Sequence, residues 1–274
     1  MFTALASFLQ AKSKQGEWLL RIDDIDTPRV EEGAADGIMR TLESHGLHWD
    51  GAVAYQSQRL ETYQAALALL DESGWLYPCT CSRKTLSALP RLAGEKAVYP
   101  GSCRHAKRSR QQSHALRVLV RNAVVKTDDR LQGHQRWDLA KEFGDFIVLR
   151  RDKIVSYHLA TVVDDGESDI TEVLRGNDLL ESTAPQLHLQ HLLGLPGHGY
   201  LHVPVIVDRK GIKLSKQNLA SPVDVREPSA NLYKLLVLLN QLPPVELRGD
   251  RPENILAWAV RSWDVSKLTG LSSV

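Results

Sequence analysis

The sequence predicts an α/β protein in which helices cover both faces of a parallel sheet. Strand-like apolar segments alternate with helical segments along most of the chain, and this alternation is typical of parallel α/β sheets. The middle of the chain, residues 77–145, breaks the alternation. We therefore interpret this segment as an insertion, and the helical residues 221–274 as a C-terminal tail.

The first part of the sheet-forming domain is assigned to residues 1–76. Trp18–Ile22 form a short apolar run after Gly16, which predicts a buried strand, and Pro28 marks a break soon after it. Helices are predicted over residues 2–14, 31–46 and 58–72, the second ending at Gly46 and the third near Gly74.

The second part of that domain is assigned to residues 146–220. The pattern predicts, in chain order, a strand over Phe146–Leu149, a helix from about Tyr157, a strand and turn over 170–176, a helix over 185–195, a strand with a glycine turn over 202–211 and helices within 228–268.

Length and composition exclude several classes of protein. The chain has 274 residues, of which 43% are hydrophobic and 24% charged, as in ordinary globular proteins. No apolar run approaches the ~18 residues that a membrane-spanning helix needs. Three cysteines are too few for a disulfide scaffold and indicate a reducing compartment, so we expect a cytoplasmic protein.

Charge is distributed unevenly along the chain. The formal net charge is −6 over residues 1–76, +10 over 77–153 and −3 over 154–274. A basic segment between acidic flanks is either a candidate surface for polyanions such as RNA or an ordinary solvated face. Its densest part contains Arg104, Lys107, Arg108, Arg110, Arg117 and Arg121.

All three cysteines lie within 25 residues of one another, in the pattern Cys79-x-Cys81 and Tyr99-x3-Cys103. Thiolates bind zinc tetrahedrally, and structural zinc sites have four ligands. Tyr99, His105 or a water molecule could supply the fourth ligand. We therefore predict a structural zinc site, the alternative being three unrelated thiols.

Two further groups of residues follow predicted strands. Asp23, Asp24 and Asp26 come after the first strand, where they could hold an ammonium group or merely cap a turn. Arg175 follows a later strand, and with Tyr157 it could bind a carboxylate or form a surface ion pair.

The loop Gly211–Gln217, GIKLSKQ, contains two lysines three residues apart, Lys213 and Lys216. A loop of this kind can close over a triphosphate and place an ammonium group on the charge that develops during adenylyl transfer. Taken alone, such a pair is also compatible with a solvated loop.

In this order, the motifs RIDDIDTPR, CTC with YPGSC, YHLATVVDD, EVLRGNDLL and HVPVIVDRKGIKLSKQ resemble the glutamyl-type class I aminoacyl-tRNA synthetases. The resemblance covers residues 1 to about 220, and more weakly to about 265. It implies a Rossmann-type catalytic domain, a zinc-bearing insertion that meets the tRNA, and a KMSKS-type loop at KLSKQ.

The resemblance is narrower still, because only 57 residues follow Gln217, too few for an anticodon-binding domain. The chain is similar to the short paralogs, the glutamyl-queuosine tRNA(Asp) synthetases. They activate glutamate with ATP and Mg²⁺ without tRNA and transfer it to the queuosine base of the tRNA(Asp) anticodon. The alternatives are a fragment of a synthetase that charges the tRNA 3′ end and an inactive zinc-containing RNA-binding protein. We expect a monomer with no membrane association.

The resemblance also implies roles for individual residues. Asp23 matches a family glutamate that contacts the substrate amino group, and it is one methylene shorter. Tyr157 and Arg175 match the other glutamate-binding positions, whereas Lys216 matches the ATP contact, with Lys213 in the same catalytic loop. The zinc ligands correspond to Cys79, Cys81, Tyr99 and Cys103.

The family's first strand and HIGH-type motif have no counterpart in this sequence, which begins at MFTALASFLQA. His45-Gly-Leu-His48 and Gly197-His198-Gly199 are not substitutes, because both lie too late in the chain. The absent part would supply an arginine for glutamate and histidines for the ATP phosphates.

We accordingly expect residues 1–274 alone to be inactive or poorly soluble, and a chain extended upstream of Met1 to be active. Comparing the specific activities of the two chains in glutamate-dependent ATP–pyrophosphate exchange tests this expectation. Equal activities would contradict it.

Overall fold

The computed structural model describes residues 1–87, 98–106, 113–214 and 223–274. Its helices are α1 (Phe2–Ser13), α2 (Ala34–Ser44), α3 (Leu60–Glu72), α4 (Arg83–Ser87), α5 (Leu139–Glu142), α6 (Tyr157–Glu167), α7 (Thr183–Leu193), α8 (Pro228–Leu238) and α9 (Pro252–Ser262). Its strands are β1 (Arg21–Ile22), β2 (Ala54–Tyr55), β3 (Leu76–Cys79), β4 (Ala115–Val118), β5 (Val124–Asp129), β6 (Gly133–Asp138), β7 (Ile147–Leu149), β8 (Glu172–Gly176) and β9 (Gly199–Val203). None of the helices in these ranges is long and apolar enough to span a membrane.

The predicted parallel sheet is present as two separate pairs. Strand β1 pairs with β2 and β8 pairs with β9, both in parallel. A cavity of about 1290 Å³ lies between the pairs, lined by residues 18–21 on one side and 172–175 on the other. Because paired strands lie only ~4.8 Å apart, this cavity prevents direct pairing of β1 with β8. The predicted parallel pairing is therefore confirmed, and among the described strands it is divided between two pairs.

The middle of the chain is antiparallel, which confirms that it departs from the pattern around it. Strands β3, β4 and β7 form a three-stranded antiparallel sheet, and β5 and β6 form a hairpin. Strand β7 therefore joins a sheet whose other strands come from the predicted insertion. The domain boundaries at residues 76, 145 and 220 stay predictions.

Most of the predicted helices are confirmed, with ends set by local chemistry. The φ angles of Gly46 and Gly74 are +71° and +72°, a left-handed conformation that glycine adopts readily after a helix. The Ser156 hydroxyl accepts a hydrogen bond from the Leu159 N–H and begins α6. The strand predicted over 202–211 is regular only in its first residues, which belong to β9 and pair with β8, whereas Val205 and Val207 form isolated bridges to Ser273 and Lys213.

Two of the four apolar clusters among the described residues position the elements around the cavity. The larger core joins α1, α8 and α9 to β9, and Leu5, Leu9 and Leu236 are fully buried in it. The second core packs α3 against α6 and α7 and includes Tyr63 and Leu159. The second core fixes the position of α6. The first residue of this helix, Tyr157, follows the cap at Ser156 and lines the cavity.

A buried carboxylate, Asp164, joins α6 to the segment around α3. Both of its oxygens accept a hydrogen bond from the Tyr63 hydroxyl at 2.9 Å. Gln56 Nε2 donates to Asp164 at 2.8 Å, and Arg59 Nε donates to it at 2.7 Å. Buried carboxylates need such partners to offset the loss of water, so this cluster fixes the position of α6.

We expect Tyr63→Phe to lower the free energy of unfolding by about 1.5–3 kcal/mol, because a buried hydrogen bond to a charged group is lost. Tyr233→Phe is the matched control, since its half-buried hydroxyl donates to a neutral carbonyl, that of Pro243, at 3.3 Å. Urea denaturation of the two variants provides the measurement. An equal or smaller loss for Tyr63→Phe would contradict the role of Asp164.

Candidate active site and metal centre

The cavity between the two parallel pairs is a candidate binding site. Its polar lining includes Arg21, Tyr157, Asp165 and Arg175. Arg175 lies at the carboxyl end of β8, and Arg21 lies in β1. Ligands of open α/β folds bind at the carboxyl ends of the strands, so the position of the cavity agrees with that rule.

Arg175 is a buried cation whose described partners are all neutral. It is 8% exposed. Its Nε donates to His202 Nε2 at 3.0 Å, Nη2 donates to Thr183 Oγ1 at 2.8 Å, and Nη1 donates to the Tyr157 hydroxyl at 3.4 Å. Within the described ranges, none of its hydrogen bonds is to a carboxylate. A buried guanidinium of this kind can stabilise the carboxylate of a ligand.

Tyr157 and Arg175, which the sequence singles out together, meet in the structure. Tyr157 is the first residue of α6 and is 37% exposed, and its hydroxyl accepts the bond from Arg175. Burial, and then the charge of Arg175, lowers the pKa of the adjacent His158 to about 4. That imidazole is therefore neutral at pH 7, and Arg175 is the cation at this point of the site.

Arg21 and Asp165 are site residues that sequence reasoning missed. Arg21 Nη1 donates to Asp165 Oδ1 at 2.5 Å, and its Nε donates to Asp23 Oδ1 at 2.8 Å. Burial lowers the pKa of Arg21, but the charges of Asp23 and Asp165 outweigh burial, and the net shift is upward. Both residues belong to motifs that the sequence analysis singled out, since Arg21 is the first residue of RIDDID and Asp165 the last of YHLATVVDD. Membership of these motifs could have identified them as candidate site residues.

The three aspartates after β1 serve different partners. Asp23 pairs with Arg21, which lines the cavity, and the Asp23 side chain is 41% exposed. Asp24 accepts hydrogen bonds from the backbone N–H and the hydroxyl of Ser57. Asp26 pairs with Arg150 at 3.1 Å. Among these acids, Asp23 is the one that also contacts a residue of the cavity lining.

The lysine loop is described only in part. Lys213 Nζ lies 2.6 Å from Asp178 Oδ2, three residues beyond Arg175. This ion pair places the beginning of the loop beside the carboxyl end of β8. Lys216 lies outside the described residues, so its assignment stays a prediction.

The predicted zinc ligands come together. Within the described ranges, the cysteine sulfurs of Cys79, Cys81 and Cys103 form one group whose atoms all lie within 4.8 Å of one another. Cys81 Sγ lies 3.6 Å from Cys103 Sγ. The Tyr99 hydroxyl lies 3.5 Å from Cys79 Sγ and 3.8 Å from Cys81 Sγ.

These distances fit a tetrahedral zinc ion. Zn–S bonds of ~2.3 Å would separate two sulfurs by ~3.8 Å, close to the observed 3.6 Å. The Tyr99 oxygen lies close enough to two of the sulfurs to supply a fourth ligand, whereas His105 is exposed and is not part of the cluster. Of the fourth ligands left open by the sequence, the geometry therefore favours Tyr99.

The pKa values of the groups in this cluster are shifted in different directions. Burial raises the pKa of Cys81 and of Tyr99. Burial also opposes ionisation of Cys103, but hydrogen bonds, first from the Thr80 backbone and then from Tyr99, lower its pKa to about 6. Cys103 is therefore a thiolate at pH 7, which is the form that binds metals.

Part of the basic stretch has a structural role. Arg104 Nη2 pairs with the buried Asp145 at 2.8 Å. Arg117 is 5% exposed, donates to the Asp145 carbonyl oxygen and stacks on the Tyr99 ring. Neither a solvated face nor an RNA surface describes Arg117, so both interpretations are wrong for that residue. Lys107, Arg108 and Arg110 lie outside the described residues.

Comparison with known proteins agrees with this geometry. The model of the family "tRNA synthetases class I (E and Q), catalytic domain" matches residues 2–257. The glutamyl-Q tRNA(Asp) synthetase of Methylococcus capsulatus is 49% identical over 269 residues, which are 98% of this chain and 87% of that protein. The protein of the same name from Chromobacterium violaceum is 44% identical over 266 residues, which are 97% of this chain and 89% of that protein.

Solved structures share the fold at lower identity. The glutamate-tRNA synthetase of Elizabethkingia anophelis has a TM-score of 0.80 and 21% sequence identity, and the match covers 99% of this chain. This chain spans 64% of the length of that synthetase. The likeness therefore shows the architecture of the catalytic domain, and it adds nothing about the rest of that larger protein.

We expect one zinc ion per chain, and we expect Cys81→Ser to abolish its retention. Tyr99→Phe should raise the rate of zinc loss to a chelator by ~10-fold or more, because it removes the fourth ligand. His105→Asn is the control and should retain zinc normally. Metal analysis and a colorimetric chelator assay measure these properties. A wild-type protein without zinc, or an unaffected Tyr99→Phe variant, would contradict the ligand assignment.

Proposed function

Because the chain belongs to the class I tRNA synthetases of the glutamate and glutamine group and is a ligase of this type, we propose that it activates glutamate with ATP, without tRNA, and transfers it to the queuosine base of the tRNA(Asp) anticodon. Relatives at 44–49% identity are glutamyl-Q tRNA(Asp) synthetases, which supports this substrate assignment. Those relatives match along 87–89% of their own length.

The observation that carries the proposal is the environment of Arg175. Its guanidinium is buried in the wall of the cavity, with neutral acceptors only among its described partners. The hydroxyl of Tyr157 lies beside it and is partly exposed to the cavity. A carboxylate of glutamate can accept hydrogen bonds from both groups. It would bring the negative charge that the described partners of Arg175 do not provide.

In this proposal Asp23 binds the glutamate ammonium group. Its side chain is 41% exposed, and one of its oxygens accepts a hydrogen bond from Arg21, a residue of the cavity lining. The other oxygen, Oδ2, can accept a hydrogen bond from an ammonium group. Asp165, paired with the same arginine, adds negative charge to the cavity wall.

The proposed first step is attack of the glutamate α-carboxylate oxygen on the α-phosphorus of ATP. The bond from that phosphorus to the bridging oxygen breaks, so that pyrophosphate leaves and glutamyl-adenylate forms. The protein contributes positioning and charge, not covalent chemistry. Lys216, with Mg²⁺ carried by the nucleotide, would neutralise the charge on the phosphates, and Lys213 would anchor the loop through Asp178.

The second step transfers the glutamyl group. A hydroxyl of the queuosine cyclopentene ring attacks the carbonyl carbon of the adenylate, loses its proton, and AMP leaves. The zinc ion would take no part in this chemistry. Held by Cys79, Cys81, Tyr99 and Cys103, it would join β3 to the segment 98–106 and stabilise the part of the chain proposed to meet the tRNA.

We expect Arg175→Ala to raise the dissociation constant of glutamate by ~100-fold, because a buried charge-assisted interaction is lost. Arg248→Ala, on an exposed arginine outside the cavity lining, is the control and should bind glutamate normally. Calorimetric titration with glutamate measures both. Unchanged affinity in Arg175→Ala would remove the main support for the proposal.

Activity is tested by glutamate-dependent ATP–pyrophosphate exchange without tRNA, followed by transfer to tRNA(Asp) with and without queuosine. Exchange without tRNA and transfer only to the queuosine-bearing RNA support the proposal. Transfer to RNA without queuosine would favour charging of the 3′ end. RNA binding without ATP use, both by residues 1–274 and by the chain extended upstream of Met1, would favour a non-enzymatic protein. A Lys216→Ala variant with the full exchange rate would refute the role of that lysine.

A further inference from the structure

We propose that Asp129 and His202 are positioning residues that orient Arg175 for the carboxylate of its ligand. The inference rests on the proposed function, because it takes Arg175 as the carboxylate-binding group. Neither residue lies in the cavity lining. Asp129 comes from the β5–β6 hairpin, so this hairpin of the middle segment would take part in shaping the amino acid site.

The hydrogen bonds fix the tautomer of His202. Arg175 Nε can only donate, so His202 Nε2, 3.0 Å away, must be unprotonated. The proton of the neutral ring is therefore on Nδ1, which donates to Asp129 Oδ2 at 2.6 Å. The hydrogen bond to a carboxylate determines which ring nitrogen carries the proton, and it also orients the ring.

Asp129 is itself held rigidly and stays charged. Its side chain is fully buried, and its Oδ1 accepts hydrogen bonds from the backbone N–H groups of Leu131 at 3.0 Å and Gln132 at 2.8 Å. Burial raises the pKa of Asp129, but the bonds from His202 and from these N–H groups outweigh burial, and the net shift is downward. The carboxylate is therefore ionised at neutral pH.

The His202 ring has little freedom to turn. It is fully buried and stacks on the Tyr200 ring at 6.1 Å between centroids with an interplanar angle of 11°. Its backbone carbonyl accepts a hydrogen bond from Gln132 Nε2 at 2.8 Å. The hairpin is also tied to β9 by the bond from the Arg130 N–H to the Tyr200 carbonyl at 3.0 Å.

In this arrangement the negative charge of Asp129 acts on Arg175 through the His202 ring and not by direct contact. A carboxylate in direct contact would occupy the Nη atoms and compete with a ligand carboxylate. The imidazole instead occupies Nε alone, and Asp129 lies behind it. The guanidinium thus keeps a fixed plane while Nη1 is directed towards Tyr157 at the cavity.

The experiment compares His202→Phe with His202→Gln. Phenylalanine keeps the stacking on Tyr200 but cannot accept a hydrogen bond, whereas the glutamine side-chain carbonyl can accept one from Arg175 Nε. We expect His202→Phe to raise the dissociation constant of glutamate at least ~10-fold, a loss of about 1.4 kcal/mol, and His202→Gln to restore most of the affinity. The affinity for ATP should stay unchanged. His134→Gln, on an exposed histidine of the same hairpin, is the control.

A second measurement is independent of glutamate. We expect an exchange-protected N–H signal of Arg175 Nε in the nuclear magnetic resonance spectrum of the wild type and of His202→Gln, and its loss in His202→Phe. Asp129→Asn should shift that signal and the His202 Nδ1–H signal.

The outcomes separate the two proposals. Unchanged glutamate affinity in His202→Phe would overturn the positioning role. Equal losses of glutamate and ATP affinity in both His202 variants, with lower melting temperatures, would also overturn it by showing a merely structural role. If neither residues 1–274 nor the chain extended upstream of Met1 binds glutamate, the proposed function fails. The Arg175 Nε signal then decides the positioning role by itself: loss only in His202→Phe supports it, and no difference refutes it.

Discussion

The candidate site depends on one electrostatic constraint, the burial of the Arg175 guanidinium at the end of β8. A cation removed from water is costly unless its N–H groups find acceptors. Three elements supply these acceptors: His202 from β9, Thr183 from the start of α7, and Tyr157 from the start of α6. The positions of β9, α6 and α7 around the cavity are therefore tied to the one side chain.

Two buried carboxylates elsewhere in the protein, unlike Arg175, are in direct contact with a group of opposite charge. Asp164 accepts bonds from Arg59 and Tyr63 and joins α6 to the α3 segment. Asp145 accepts a bond from Tyr77 and pairs with Arg104, joining β3 to the segment near the cysteines. Each of these acids has a cationic partner in direct contact, and so each is suited to joining elements. Arg175 has neutral described partners and also lines the cavity, so it is suited to binding a ligand.

Sequence patterns predicted local structure and chemistry well and long-range partners poorly. The helices, the meeting of Tyr157 with Arg175 and the cluster of thiols with Tyr99 all follow from local periodicity or from motifs. The division of the described parallel strands into two pairs was not predicted, because strand signals state which segments are extended and not which become neighbours. The pairs Arg21–Asp165 and Asp129–His202 span 144 and 73 residues of sequence, and no local pattern reports such contacts.

Net charge illustrates the same limit in the middle segment. A count of residue types assigns its arginines to the surface, but the buried Arg117 stacks on Tyr99 and Arg104 neutralises Asp145. The acid of this basic segment with the clearest connection to the site, Asp129, points inwards to His202. Because the hairpin that carries it is also bonded to β9, the orientation of Arg175 depends on the docking of a segment that never touches the cavity. The site therefore requires the contact between the parallel pair β8–β9 and the β5–β6 hairpin, and neither of them forms it alone.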